Sequence, residues 1–271
     1  MSKQRVLLQP AYVLHQRAYR DTSAILEIFT PEQGRVGLIA KGVRGKKPRW
    51  PALLQTFQPL LVSWLQGGEL GLLTGVEAQG AALTINPRFI ASGFYLNEML
   101  LRLLQRHDAQ LELFGWYDAA LRELSALDQC AVGMVDSRDE VIANAVQPAL
   151  ETILRRFEMR LLTSLGYGLV LNHEAHSSVP VQAEKQYVYH FEQGPVLADA
   201  GDEESHHESF GIPVSGQTLL ALQADNLSAA QTRQEAKRLL RVVLGHYLGS
   251  KPLASRQLML QSAQLAQRQA Q

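Results

Sequence analysis

Six lysine and arginine side chains lie within the short segment from Arg35 to Trp50, which contains no acidic residue. The nearest acids along the chain are Glu32 and Glu69, so sequence neighbours do not neutralise this charge. Cations bind phosphates, and an aromatic ring such as Trp50 offers a face on which a base can stack. The segment therefore predicts contact with nucleic acid; the alternative is a basic surface loop without a ligand. The predicted DNA-binding residues are Arg35, Lys41, Arg44, Lys46, Lys47, Arg49 and Trp50.

A second set of cations lies on a predicted helix from Pro148 to Leu165. Its apolar residues recur at helical spacing, which predicts a buried stripe that includes Leu154. Arg155 flanks this stripe, and Arg156 lies with Arg160 on the opposite face. Guanidinium groups beside an apolar ridge suit the carboxylate of a bound peptide, and the alternative is a solvated helix face. The last part of the chain adds Lys237, Arg238 and Arg241, which extend a DNA path, contact a partner or are merely solvated.

Signatures of catalysis and of metal binding are weak. The chain lacks the phosphate-loop, dinucleotide, zinc-protease and nucleophile-elbow motifs. The single cysteine, Cys130, excludes an internal disulfide and a site built from several thiolates. The remaining metal candidates are five histidines and an acidic set, for which solvated loops are the better interpretation: His173, His176, His190, His206, His207, Asp199, Asp202 and Glu203. We expect no enzyme, no metal and no cofactor.

The elements that position these residues divide into strands and helices. Five strand-like runs in about the first 80 residues predict a small barrel, favouring an OB-fold over an SH3-like barrel. They span 9–16, 22–30, 35–41, 55–65 and 69–78. Helical periodicity follows at 88–104, 111–127, 148–165, 215–222 and 228–249, the last with a capping box at Ser228 and Gln231. The prediction is an α+β protein with an OB-fold domain at 1–83 and a mainly helical domain at 84–271. A polar insert with one hairpin occupies about 168–213.

Net charge is zero, but its distribution is uneven. Residues 1–85 hold ten basic and five acidic side chains, whereas residues 172–235 hold two basic and ten acidic ones. Such blocks favour a polyanion-binding end beside acidic surface. No segment approaches the roughly 18 apolar residues of a membrane span, so a soluble, cytoplasmic protein is expected.

Four stretches resemble the bacterial recombination mediator family RecO. They are YVLHQRAYRDTSAILEIFTPEQGRVGLIAKGVRGKK near the start, FYLNEMLLRLL, LRRFEMRLLTSLGYG and the residues from Ala236 onward. Together they cover most of the chain. The resemblance implies an OB-fold and a helical domain that bind single- and double-stranded DNA and anneal complementary strands. It also implies action with RecR, in many bacteria with RecF, to load RecA onto DNA coated with single-strand-binding protein.

The resemblance further implies that the helical domain docks the acidic C-terminal tail of the single-strand-binding protein. The family pattern assigns this pocket to Arg155 foremost, with Arg156 and Leu154 beside it. Many members also carry four cysteines that form a zinc site, and this chain has none there. Three hypotheses result: a DNA-annealing mediator, a protein-docking adaptor with incidental DNA affinity and, least favoured, a nuclease.

Overall fold

The computed structural model describes residues 4–50, 52–132, 139–175, 177–198 and 211–258. Packing divides the chain into two compact units. Unit 1 comprises Met1–Gln129 and Pro252–Gln271, and unit 2 comprises Cys130–Lys251. Among the described residues, no helix is both long enough and apolar enough to cross a bilayer.

The five strands of unit 1 form a closed barrel in the order β1-β2-β3-β5-β4. Neighbouring strands are antiparallel except β3 and β5, whose parallel seam pairs Leu38 with Gly71 and Ile39 with Leu72. This order is that of an OB-fold, so the predicted α+β class with an N-terminal OB-fold is confirmed and the SH3-like alternative is excluded. The strands are β1 (Gln4–Tyr19), β2 (Ser23–Thr30), β3 (Gly34–Ala40), β4 (Leu60–Gln66) and β5 (Gly71–Ala78).

Alternation of side chains builds the barrel core. Leu26 on β2 faces Leu38 on β3, and both are fully buried with Trp64 of β4. The seam between β3 and β5 closes only because residue 71 is glycine. A Cβ there would approach a methyl carbon of Leu38 to 2.7 Å and the Trp64 ring to 2.8 Å. Strand β4 begins directly after Pro59, which cannot donate to a ladder.

Helices α1 (Pro87–Leu103) and α2 (Leu111–Val132) follow the barrel. Asn86 caps α1 by accepting from the Arg88 amide, and Pro87 occupies the first turn. Asn97 donates to the Leu14 carbonyl at 2.9 Å, and Tyr117 lies edge-on to Tyr12 at 5.2 Å. The structure thus groups α1 and most of α2 with the barrel in one compact unit. The predicted boundary between two domains after residue 83 stays a prediction.

The end of the described chain returns to unit 1. Both carboxylate oxygens of Glu98 on α1 accept backbone amides, from Ala254 at 2.9 Å and from Ser255 at 2.8 Å. The Ser255 hydroxyl donates to the same carboxylate at 2.6 Å, and Leu253 is buried. Burial alone would raise the pKa of Glu98, but the hydrogen bonds from Ser255 and Ala254 and the charge of Arg102 outweigh it and lower the pKa.

Unit 2 combines three helices with a small antiparallel sheet. The helices are α3 (Asp139–Ser164), α4 (Gly216–Gln223) and α5 (Ala230–Leu248). The sheet has the order β7-β6-β8, built from β6 (Gln186–His190), β7 (Gly194–Leu197) and β8 (Ile212–Ser215). The predicted hairpin is confirmed as β6 and β7. Strand β8 was absent from the prediction because four residues containing a proline carry little periodic signal.

Two local predictions in unit 2 are wrong. Helix α3 begins at Asp139, nine residues before its predicted start, and Pro148 lies inside it rather than in its first turn. The buried residues Ile153, Phe157 and Leu161 hold the helix that follows, so packing outweighs the hydrogen bond that the proline removes. Helix α5 has Ala229 as its N-cap, and no side chain caps it, so the capping box at Ser228 and Gln231 does not form. Instead, Gln231 donates to Glu235 at 3.0 Å.

Candidate nucleic-acid interface

The cationic loop, residues 41–50, leaves the barrel at the end of β3. Two backbone hydrogen bonds hold its base: Arg44 donates to the Thr22 carbonyl at 2.9 Å, and Arg49 donates to the Gly42 carbonyl at 2.8 Å. Gly42 has a φ of 69°, a conformation that favours glycine. The first bond joins the loop to the turn between β1 and β2. The loop is therefore anchored to the barrel at both ends.

Five cations of this loop point into solvent: Lys41, Arg44, Lys46, Lys47 and Arg49. Within the described ranges, none of them forms an ion pair with a carboxylate. Their charge is therefore uncompensated in three dimensions as well as in sequence. Exposed cations on an anchored loop offer phosphates a site at little cost in desolvation.

The environment of Trp50 differs from that of the base-stacking ring that the sequence suggests. Its side chain is half-buried and packs against the barrel core together with Val43 and Leu53. The Arg49 guanidinium lies over the indole, 4.2 Å from the ring centre. The Trp50 carbonyl accepts from the Leu53 amide at 3.1 Å. Trp50 thus anchors the end of the loop, and its contact with DNA stays a prediction.

Arg35 is separated from the loop cations. It lies at the opposite end of β3, where its guanidinium donates to the Leu101 carbonyl at 2.8 Å and lies 3.9 Å from Glu27. Arg106 contacts the same Glu27 and donates to Glu69 at 2.9 Å. Burial lowers the pKa of Arg35, while Glu27 opposes this shift and Arg106 adds to it. Arg35 joins the barrel to the end of α1, and its contribution to DNA binding stays a prediction.

Two further cations beside the loop were missed by the sequence reasoning. Arg17 pairs with Ile25 across β1 and β2, and Ile25 pairs with Ile39 on β3, so these three residues share the outer face of the barrel. Arg20 occupies the turn that accepts the Arg44 amide, and both arginines are exposed. The predicted first strand ended at residue 16, whereas β1 continues to Tyr19 and thereby places residues 15, 17 and 19 on one face.

The α3 residues predicted to bind a peptide carboxylate, Leu154, Arg155 and Arg156, are less exposed than the loop cations. Leu154 and Arg155 are each only 8% exposed. Arg155 donates to Glu158 at 2.6 Å, and Glu158 is itself buried. Arg156 directs Nε at both oxygens of Asp225, at 2.8 and 3.0 Å. The Arg155 side chain is 10% exposed and the Arg156 side chain 28%, so Arg156 is the more accessible of the two.

Two of the metal candidates, His173 and His190, lie among the described residues. In the part of the chain that the structure describes, no three His, Cys, Asp or Glu side chains are grouped as for a metal. His173 contacts Asn172 at 2.7 Å, and His190 lies on β6. His176, His206, His207, Asp199, Asp202 and Glu203 lie outside the described residues. On α5, Arg238 donates to the Pro213 carbonyl at 2.7 Å, and Lys237 lies 3.6 Å from Glu151.

Comparison with known proteins gives a consistent family. The model described as Recombination protein O N terminal matches residues 1–81, and the one described as Recombination protein O C terminal matches residues 141–257. The chain belongs to the RecO family. Two relatives named DNA repair protein RecO illustrate the similarity. The protein of Nitrosococcus oceani is 45% identical over 94% of this chain and 93% of its own, and that of Methylococcus capsulatus is 43% identical over 96% and 95%. The RecO N-terminal match coincides with the barrel and its cationic loop.

Proposed function

We propose that this protein acts in DNA repair and recombination as a non-enzymatic, DNA-binding mediator. The observation that supports this most directly is the set of five solvent-exposed, unpaired cations on a loop anchored to an OB-fold barrel. Phosphate contacts of this kind position a strand without reading its sequence. They suit a protein that meets single- and double-stranded DNA of any sequence.

Strand annealing follows from the same chemistry. Two complementary strands repel each other through their phosphates, and bound cations lower that repulsion while leaving base edges free to pair. No covalent step is asked of the protein. In this proposal the mediator anneals strands that are coated with single-strand-binding protein and helps to load RecA, acting with RecR and, where present, RecF. Such work places it in the cytoplasm, associated with the nucleoid.

The test replaces Lys41, Arg44, Lys46 and Lys47 by alanine together. Binding of a fluorescent oligonucleotide is measured by anisotropy between 50 and 200 mM salt. If all four contact phosphates, the slope of log K against log salt becomes shallower by about 3 to 4 for duplex DNA and about 3 for a single strand. Annealing of complementary oligonucleotides should fall in parallel.

A matched control removes the same charge from unit 2, through Lys237, Arg238, Arg241 and Lys251. We expect its salt slope to stay near that of the parent protein, because two of these side chains are already engaged with Glu151 or a backbone carbonyl. An unchanged slope in the loop variant would refute the proposed site. If the salt slope becomes shallower only in the control variant, the DNA-binding surface lies at α5 and not at the loop.

Docking of an acidic protein tail is the second part of the proposal, and the chemistry of α3 supports it. Arg156 is partly exposed, and its Nε already donates to both oxygens of one carboxylate, that of Asp225. The tail of the single-strand-binding protein supplies a competing carboxylate. Titration with a tail peptide should show weaker binding for Arg156→Ala and Arg155→Ala, with bare-DNA binding retained. Loss of peptide and DNA binding together would argue against separate sites. A protein that binds the peptide but not DNA would be an adaptor.

A further inference from the structure

The outer face of β1 and β2 beside the cationic loop carries one aromatic side chain, Tyr19, between exposed cations. Tyr19 pairs with Ser23 and, two residues earlier on the same face, Arg17 pairs with Ile25. The register of β2 and β3 brings Ala24 opposite Ala40, so Ser23 lies beside the position from which Lys41 starts the loop. Tyr19 therefore lies in a row of outward-facing residues that ends at the loop.

The rings near the loop are not equivalent. Trp50 is packed against the barrel core and lies under Arg49. Tyr19 is half-buried at the strand end, and the Arg20 guanidinium lies 5.2 Å from its ring centre. An arginine over one face of a tyrosine holds the ring flat and leaves the opposite face for a ligand. Of these two rings, Tyr19 is the one whose surroundings belong to the barrel surface rather than its core.

The surrounding charge suits a strand with unpaired bases. Arg20 lies over the Tyr19 ring, Arg17 is two residues away on the same face, and the Arg44 backbone amide donates to the carbonyl of Thr22 in the adjoining turn. The acids nearby are Asp21, exposed in the turn, and Glu27, which Arg106 neutralises. Cations that track phosphates and a ring that stacks a base form the usual combination for single-stranded nucleic acid.

We propose that Tyr19 is the base-stacking residue of this site. In this proposal Arg17 and Arg20 bind phosphates of the same DNA strand that the cationic loop binds. This inference rests on the proposed DNA-binding function and adds a specificity. Duplex DNA, whose bases are already stacked, uses only the cations. A single strand uses the cations and the Tyr19 ring, so Tyr19 sets the preference between the two forms.

The decisive measurement compares affinities of the full-length protein for a single-stranded oligonucleotide and for its duplex. Tyr19→Leu keeps apolar bulk at the strand end but removes the aromatic face. We expect single-strand affinity to fall about 5- to 100-fold, as for loss of one stacked base, with duplex affinity almost unchanged. Tyr19→Phe should bind both forms like the parent protein. Tyr167→Ala, which removes a 45% exposed ring in unit 2, is the aromatic control and should change neither affinity.

Arg17→Ala and Arg20→Ala should each make the salt slope shallower by about 1 for both forms of DNA. The inference is overturned if Tyr19→Leu binds the single strand like the parent protein, or if it weakens single-strand and duplex binding equally. The four-residue loop variant separates this failure from a wider one. If that variant loses DNA while Tyr19→Leu keeps its single-strand preference, only the stacking role is wrong. If the loop variant keeps its salt slope, the proposed DNA site itself is wrong.

Discussion

The cationic loop of the barrel and helix α3 of unit 2 are both rich in arginine, but the two regions use it differently. The loop cations reach solvent, and none pairs with a carboxylate among the described residues. On α3, Arg155 is buried against Glu158 at 2.6 Å, and Arg156 lies 2.8 Å from Asp225. The difference shows that a run of cations in the sequence does not by itself reveal whether the fold exposes them or pairs them with carboxylates.

The physical reason is the cost of desolvation. A buried charge must have a partner, because removing it from water costs several kcal/mol and an opposite charge offsets this. An exposed charge keeps its counterions, and their release on phosphate binding supplies affinity. Arg155 on α3 is thus held by a contact within the fold, whereas the loop cations stay exposed to solvent. Substitutions in the two regions should therefore affect different measurements.

The largest effect is expected for Glu158→Ala. It leaves Arg155 buried without its carboxylate, which should lower the free energy of unfolding by about 3 to 5 kcal/mol. Urea denaturation monitored by circular dichroism measures this, with exposed Glu77→Ala as the control. If the chain fails to fold, Glu158→Gln tests the same contact with a smaller change. A Glu158 variant as stable as the control would show that α3 does not depend on the pair.

A smaller effect is expected at Glu235, which accepts hydrogen bonds from the Ser215 amide at 2.9 Å and the Thr218 hydroxyl at 2.8 Å. Burial alone would raise its pKa, but hydrogen bonds from Ser215, Gln231 and Thr218 outweigh it and lower the pKa from 4.5 to about 2. Because the folded-state value is depressed, the stabilisation is complete above pH 4.5. It is lost as the pH falls toward 2.

After allowance for solvent screening, Glu235→Gln should cost roughly 1 to 2 kcal/mol at pH 7. The difference from the parent protein should shrink as the pH is lowered from 4.5 toward 2.5. Urea midpoints of the two proteins over this range give the comparison, and other titrating groups cancel in the difference. A difference independent of pH would mean that the ionised carboxylate is not what stabilises the turn before α4.

A still smaller effect is expected for Asp225→Ala. Its pair with Arg156 is partly exposed, so the free energy of unfolding should fall by about 0 to 1 kcal/mol. The same change removes the carboxylate that competes for Arg156 Nε, and binding of an acidic tail peptide should become tighter. Thermal melting and peptide titration measure the two effects. Weaker peptide binding would exclude competition between Asp225 and the peptide for Arg156.

The smallest change in stability is expected for Lys47→Ala in the loop, within about 0.5 kcal/mol of the parent protein. Its effect should appear in DNA binding instead, as a salt slope shallower by about 1 for duplex DNA. Anisotropy titrations at three salt concentrations suffice. A stability loss as large as that of Glu158→Ala would remove the distinction between the two regions.

The barrel was predictable because alternation over several residues indicates both a strand and its buried face. Val36 and Leu38 face the core as their spacing requires. The position of the loop followed from glycines and a proline after β3. What the sequence did not reveal depends on residues distant along the chain. Arg35 meets the Leu101 carbonyl, and the indole of Trp50 packs on the barrel core.

Spacing had the same limit in unit 2. Arg155 and Glu158 are three residues apart, which permits contact on a helix but does not show that both are buried. Pro148 suggested a helix start because its local preference is strong, and packing overrode it. The proposed platform at Tyr19 shows the same limit. The predicted first strand ended before Arg17 and Tyr19, and only the full length of β1 and its register with β2 and β3 place both residues beside Lys41.

The carboxylate of Glu98, which holds the amides of Ala254 and Ser255, has a consequence for synthesis on the ribosome. The barrel and its two helices emerge early, yet the segment that completes their unit is translated only after all of unit 2. Folding of nascent chains generally proceeds from the N-terminus, so Glu98 remains open to water until the last residues leave the exit tunnel. A chain that ends within α5 would therefore lack the Ala254 and Ser255 amides that the Glu98 carboxylate on α1 accepts.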